Sequence, residues 1–178
     1  MGNEAKLCPI LFNTEMVKAI LNGKKTETRR PAVRKPLCAP GDILWVRETW
    51  GWIPCEECSL HDGWCPTLPT TYKYENGCFT HKADSYIEEI PRWRPSIHMP
   101  KEAARIFLKV LKVEQTANVS AITEAESILE GFRNRAEFIA AWEKMYPRQT
   151  NGAAWIIRFE RVAPSQLWPG VKEEGPNC

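Results

Sequence analysis

A lysine, two threonines, a glutamate and two arginines follow one another in Lys25-Thr26-Glu27-Thr28-Arg29-Arg30, with Gly23-Lys24 before them and Pro31 after. Residues of these types can hold an anion or an amide, and they can also cut one. A hydroxyl attacks an acyl carbon once a base within hydrogen-bond reach takes its proton. A lysine serves as that base when burial or neighbouring cations lower its pKa. Here Lys24, Arg29 and Arg30 are the neighbouring cations, and Glu130, far along the chain, is a candidate carboxylate. Lys25, Thr28 and Glu130 would then supply a cation, a hydroxyl and a carboxylate. Against this stands a plainer reading, since charge clusters are more often solvated faces and an acid at a helix end is more often exposed.

The second candidate is the cysteine group. Cys55-Glu56-Glu57-Cys58 is a C-x2-C pair, and Cys65 and Cys78 follow, with His61 and His81 close by. Two cysteines two residues apart form a familiar half of a tetrahedral zinc site, although a second such pair is missing. The plainer reading is reduced cysteines in a loop subdomain, and the sharper one is a structural zinc on Cys55, Cys58, Cys65 and Cys78. Only three histidines exist, and nothing marks any cysteine as an activated nucleophile. Neither phosphate-loop pattern, G-x-x-x-x-G-K-[ST] or G-x-G-x-x-G, occurs.

The elements that must position these residues belong to a chain of 178 residues with a net charge of +2, too small to mark it as a general nucleic-acid binder. The distribution says more. Lys18, Lys24, Lys25, Arg29, Arg30, Arg34 and Lys35 crowd residues 18–35 against the single acid Glu27, while acids dominate residues 51–90. A local positive field follows without a basic protein overall. No apolar run is long enough to span a bilayer and no signal-peptide core follows Met1. A cytoplasmic protein is therefore expected, and there the seven cysteines favour free thiols or a metal over disulfides.

Pro9–Phe12 reads as a buried strand, and Asn13 or Thr14 as the cap of a helix whose apolar face is Met16, Val17, Ile20 and Leu21. Gly23 closes that helix. Thr-x-Thr alternation then suggests a short extended segment. Ala39-Pro40-Gly41-Asp42 is a turn that launches the strand Ile43–Glu48. Residues 50–90 lose periodicity and read as an insertion with its own aromatic packing. Two prolines keep Trp93–Pro100 extended. Ile106–Val113 is a long strand, and Thr123–Glu130 a helix ending at Gly131. Arg135–Tyr146 is a helix with Phe138, Ile139, Trp142 and Met145 on its core face. The last strand, Trp155–Val162, turns Trp155, Ile157 and Phe159 to one side. Residues 163–178 read as a flexible tail. Strands at both ends with few helices between them predict an α+β fold around a curled, largely antiparallel sheet, a small mixed barrel.

The G-K-K-T-E-T-R-R run, the Pro40-Gly41-Asp42 turn with its strand, Trp93-Arg94-Pro95-Ser96-Ile97-His98-Met99-Pro100 and the closing strand together resemble an ASCH domain, in the larger form common in phages and prophages. The resemblance spans residues 8–162, taken as a single domain. It implies a PUA-like fold, a small β-barrel flanked by helices, and binding of RNA or a pyrimidine nucleoside or nucleotide. A compact bacterial member removes the acetyl group of N4-acetylcytidine with a lysine as proton acceptor, a threonine as nucleophile and a glutamate as proton donor. Its G-x-K-T-x-T-x-R pattern falls on Lys25, Thr28 and Arg30 of this sequence, and its later glutamate falls on Glu130. No cofactor would be required. Lys24, Thr26, Arg29, Arg30, Arg47, Glu48, Trp93 and Arg94 are the expected ligand-binding residues, with Trp50 or Trp93 as a stacking surface. Lys25 and Thr28 lie three apart, which a regular strand would send to opposite faces, so a bend after Gly23 is expected.

Overall fold

The computed structural model describes residues 5–54, 77–83 and 92–167. Strand β1 (Leu7–Leu11) leads into helix α1 (Thr14–Leu21), where the Asn13 side chain accepts the Met16 N–H at 2.9 Å. Gly23, at φ 69°, ends the helix and turns the chain into β2 (Glu27–Pro31). Left-handed backbone of this kind costs a side-chain-bearing residue strain that glycine avoids. The same reason places Gly41, at φ 92°, in the turn before β3 (Ile43–Arg47). The buried Asp42 carboxylate fastens that turn, accepting from the backbone N–H of Ala39 and of Lys6.

Strands β4 (Trp50–Pro54) and β5 (Gly77–His81) pair with each other as a separate antiparallel ribbon. Strand β6 (Phe107–Thr116) follows, then α2 (Glu124–Leu129), α3 (Arg135–Met145), β7 (Ala154–Val162) and a single turn, α4 (Pro164–Leu167). The main sheet runs β1-β3-β6-β7-β2, with every pairing antiparallel except β1 with β3. This is the α+β, mostly antiparallel architecture expected from the sequence. The ladders leave β1 and β2 at the two edges, and Arg30 spans between them by donating from Nη2 to the Leu11 carbonyl at 3.0 Å.

Val17, Leu44 and Leu108 have no exposed surface and anchor the core between sheet and α1. Apolar burial at about 25 cal/mol per Å² makes this the main source of stability. A second cluster of Val119, Ile122, Phe138, Trp142 and Ala154 seats α3. A third, Trp50, Met99 and Ala103, holds the β4–β5 ribbon.

Several expectations need correction. Met145 is 54% exposed, because Tyr146 takes the place beside Trp142, ring centroids 4.6 Å apart, and turns the last helical residue outward. The Trp93–Pro100 stretch is not extended throughout. Pro95 and Pro100 have extended ψ values, yet Ser96–His98 closes a 3₁₀ turn in which the His98 N–H donates to the Pro95 carbonyl. Trp155 is only half-buried, and its Nε1 donates to the Arg34 carbonyl at 2.8 Å. Most of the expected insertion and all of residues 168–178 lie outside the described residues, as do Cys55, Cys58 and Cys65. Cys78 is described only through its backbone in β5, so the expected zinc site cannot be placed.

Candidate functional site

The site is assembled by a bend and a close approach. After Gly23 the Lys25 N–H donates to the Ala19 carbonyl at 3.0 Å, and the Thr26 N–H to Leu129 O at 2.9 Å. The chain is thereby pressed between the end of α1 and the end of α2 before β2 begins. On the far side Thr123 caps α2 in a reciprocal box with Glu126, and Glu130 is the cap residue just past its end. Gly131 follows at φ 88°, where an added Cβ would lie 2.9 Å from the Ala19 Cβ and 3.2 Å from the Lys25 Cβ. Only a glycine lets α2 approach so closely and bring Glu130 onto Lys25.

The Lys25 Nζ donates to the Glu130 carboxylate at 2.8 Å, to the Glu130 carbonyl at 2.7 Å and to the Glu27 carbonyl at 2.7 Å. Both side chains of the Lys25–Glu130 pair are almost wholly enclosed, 1% and 4% exposed. Burial pulls the Lys25 pKa below the ordinary lysine value and the Glu130 charge partly restores it. Three N–H donors meet three acceptors, so the protonated amine is fully satisfied.

Along β2 successive side chains alternate between faces. Glu27 and Arg29 lie on one face. The Arg29 guanidinium contacts Glu27 at 2.5 Å, Glu130 at 3.2 Å and Glu126 at 3.3 Å. The other Glu27 oxygen accepts from Arg158 Nε at 2.8 Å, from the residue directly opposite on β7. On the other face Thr28 is 1% exposed, and its Oγ1 accepts from Arg30 Nη1 at 2.7 Å. Phe12 joins the two halves: its ring lies 5.5 Å from Lys25 Nζ and 5.1 Å from the Arg30 guanidinium carbon. Such cation–aromatic contacts favour keeping both charges at this spot. Glu126 is held below the usual carboxylate range. Burial opposes that shift, but hydrogen bonds from Thr123 and the Arg29 charge outweigh it.

Lys25 and Glu130, 105 positions apart, are thus in direct contact, with Thr28 three residues on from Lys25 along the same segment. The remaining expected ligand residues spread out. Lys24 and Thr26 are exposed beside the site. Arg29 is 3% exposed and ion-paired, so it adds little to a surface field. Arg47 donates to the Ile97 carbonyl and lies over the Trp45 ring. Glu48 is buried against Arg105 at 2.9 Å. Arg94 lies over Trp50, 5.0 Å from its centroid, and Trp93 is half-buried. Trp50 is 1% exposed, so its ring is core and not a stacking surface.

Sequence reasoning missed Phe12, Glu126, Gly131 and Arg158. Glu27 was visible only as the one acid in a basic run, although its two-residue spacing from Arg29 was a usable sign of a same-face pair. A groove of about 330 Å³ lies beyond the end of β2, lined by Pro31, Val33, Tyr146, Pro147, Arg148 and Gln149. None of Lys25, Thr28 and Glu130 lines it. Among the described residues no cluster of three or more metal-ligating side chains occurs, and no helix is long and apolar enough to cross a membrane.

No family model matches the chain, and no curated protein does. Among the solved structures similar to it in fold are two that follow. One is protein EF3133 from Enterococcus faecalis, of the family designated DUF984, at 13% identity and a TM-score of 0.45, covering 92% of this chain and 82% of that one. The other is a single-substitution variant of ZmASCH from Zymomonas mobilis, at 13% identity and a TM-score of 0.42, covering 95% and 86%. Both likenesses are distant, and the site described above stands on this chain's own geometry.

Proposed function

We propose that the chain binds an N-acylated pyrimidine nucleoside, free or within RNA, against β2 and hydrolyses its amide. The observation that carries this reading is the enclosed 2.8 Å contact between Lys25 Nζ and Glu130, with Thr28 buried three residues further along the segment. A base and an acid are both needed, and this contact can supply them together. Moving one proton from the ammonium to the carboxylate yields a neutral amine and a carboxylic acid. That exchange loses less in a dehydrated site than in water, because water favours the charged pair.

The Thr28 hydroxyl then attacks the amide carbonyl while its proton passes to Lys25 Nζ. Arg30, 2.7 Å from Thr28 Oγ1, eases loss of the hydroxyl proton and supplies a cation near the carbonyl oxygen on which negative charge develops. The C–N bond breaks with its electron pair on nitrogen, which takes the proton from Glu130. Water hydrolyses the Thr28 ester, releasing the carboxylic acid and restoring the hydroxyl. No cofactor enters these steps. The exposed Lys24 and Thr26 and the half-buried Arg30 would meet the nucleoside or its phosphate.

A second reading is favoured by the full hydrogen bonding of the Lys25 ammonium: the site binds nucleotide or RNA and does no chemistry. One experiment separates the two. Purified protein is incubated with N4-acylcytidines, and release of cytidine is followed for native protein and Thr28→Ala. Hydrolysis is expected from the native protein, with a loss on the order of a thousandfold in the variant. Equal rates for the two would remove the catalytic reading. Salt-sensitive RNA binding without hydrolysis would establish the second.

A further inference from the structure

Glu27 is the most completely enclosed charge in the site, with 0% of its side chain exposed, and the proposed hydrolysis does not use it. Its carbonyl and both carboxylate oxygens are nevertheless engaged. Its carbonyl accepts from Lys25 Nζ at 2.7 Å, one carboxylate oxygen from Arg29 at 2.5 Å, and the other from Arg158 at 2.8 Å. Arg29 Nη1 is shared unequally between two carboxylates, close to Glu27 and farther, at 3.2 Å, from Glu130.

The consequence concerns Glu130. One of its oxygens faces Lys25 and the other faces Arg29. An arginine fork binds a carboxylate best with two parallel N–H donors. If Arg29 were free to turn, it would grip Glu130 in that way and compete with Lys25 for it. Glu27 prevents this by taking the near nitrogen, while Glu126 takes the other at 3.3 Å.

Resting on the hydrolytic reading above, we propose that Glu27 is a positioning residue: it holds Arg29 off Glu130 and fixes the charge that faces the Lys25–Glu130 pair. Arg158 clamps it from the solvent side, itself 42% exposed and 3.7 Å from Glu114. The charged groups facing Lys25 are then Glu130 from α2 and Glu27 and Arg30 from β2, with Arg29, Glu126 and Arg158 one contact farther out.

The test reads Lys25 directly, by side-chain ¹⁵N NMR titration of the full chain, with the Lys25 signal assigned through Lys25→Met. Glu27→Gln removes a negative charge beside the ammonium and moves the Lys25 midpoint to lower pH. Arg158→Gln, at a half-exposed position, leaves Glu27 less neutralised and moves that midpoint to higher pH. Two shifts of opposite sign cannot come from a general loosening of the fold. In acylcytidine hydrolysis Glu27→Gln lowers kcat by roughly tenfold to a hundredfold with KM little changed, as misplacement in a built site does. Should Glu27→Gln not fold, the upward shift in Arg158→Gln alone decides. A Lys25 midpoint that moves in neither variant overturns the proposal even if the native protein hydrolyses its substrate. Shifts of the expected signs in a protein that hydrolyses nothing leave the electrostatic role standing and overturn the hydrolytic reading.

Discussion

Two buried carboxylates, Glu130 and Glu48, sit in comparable enclosure, at 4% and 1% side-chain exposure, yet they belong to different kinds of place. Glu48 lies just past the end of β3 and meets Arg105, whose side chain is 27% exposed and can follow water. Glu130 meets Lys25 and Arg29, which are 1% and 2% exposed and have no such escape. The first arrangement ties a loop to the sheet. The second encloses both signs of charge together, away from water. Burial of one partner makes a tether, while burial of both makes a site whose protonation is worth controlling.

The comparison predicts unequal costs. Glu130→Ala leaves two enclosed cations with fewer acceptors and should destabilise by about 3–5 kcal/mol. Glu48→Ala removes one partner of an arginine that reaches solvent and should cost about 1–3 kcal/mol. Urea unfolding of both variants measures the gap, and equal losses would erase the distinction drawn here. Gly131→Ala comes next. It forces an alanine to φ 88° and drives a methyl group against Ala19 and Lys25, so a loss of about 1–3 kcal/mol is expected with hydrolysis reduced beyond what stability explains.

The smallest effect lies in the pH dependence, where two buried groups act with opposite sign. Burial holds the Lys25 pKa below its unfolded value of 10.5, so the unfolded chain binds more protons in that interval. Stability contributed by this group therefore rises with pH up to 10.5, and the rise disappears in Lys25→Met. Cys38 is the reverse case. Burial, aided by Cys8 and Asp42, pushes its thiol from 9.0 up to about 12. Its contribution is full below pH 9 and is lost as pH climbs towards 12. Difference curves from chemical denaturation of native protein against Lys25→Met and Cys38→Ala resolve the two slopes. A flat difference curve for Lys25→Met would mean that Lys25 is not held as the geometry requires.

Legibility differed from element to element. Asn13, Gly23 and the Ala39–Asp42 turn were readable because capping and positive φ are local demands, answered by single residues. The helix before Gly131 was readable for the same reason, since its Thr123–Glu126 box lies within one turn. Met145 was misread because helical spacing extrapolates a face that one aromatic neighbour, Tyr146, can claim instead. Trp50 offered itself as a stacking surface only because an aromatic side chain carries no mark of which neighbours will cover it.

By itself the sequence determined the α+β class, the element boundaries set by caps and glycines, and the residue types that could perform amide chemistry. It could not say whether the basic run from Lys24 to Arg30 was solvated or enclosed, because burial of charge depends on partners supplied from elsewhere. Only the tertiary structure decided that Lys25, Glu27, Thr28 and Arg29 are enclosed while Lys24 and Thr26 remain in water. The physical reason is pairing. A dehydrated charge survives only beside its opposite, and Glu130 and Arg158, which make this possible, reach β2 from α2 and β7 through contacts more than a hundred positions apart in the chain.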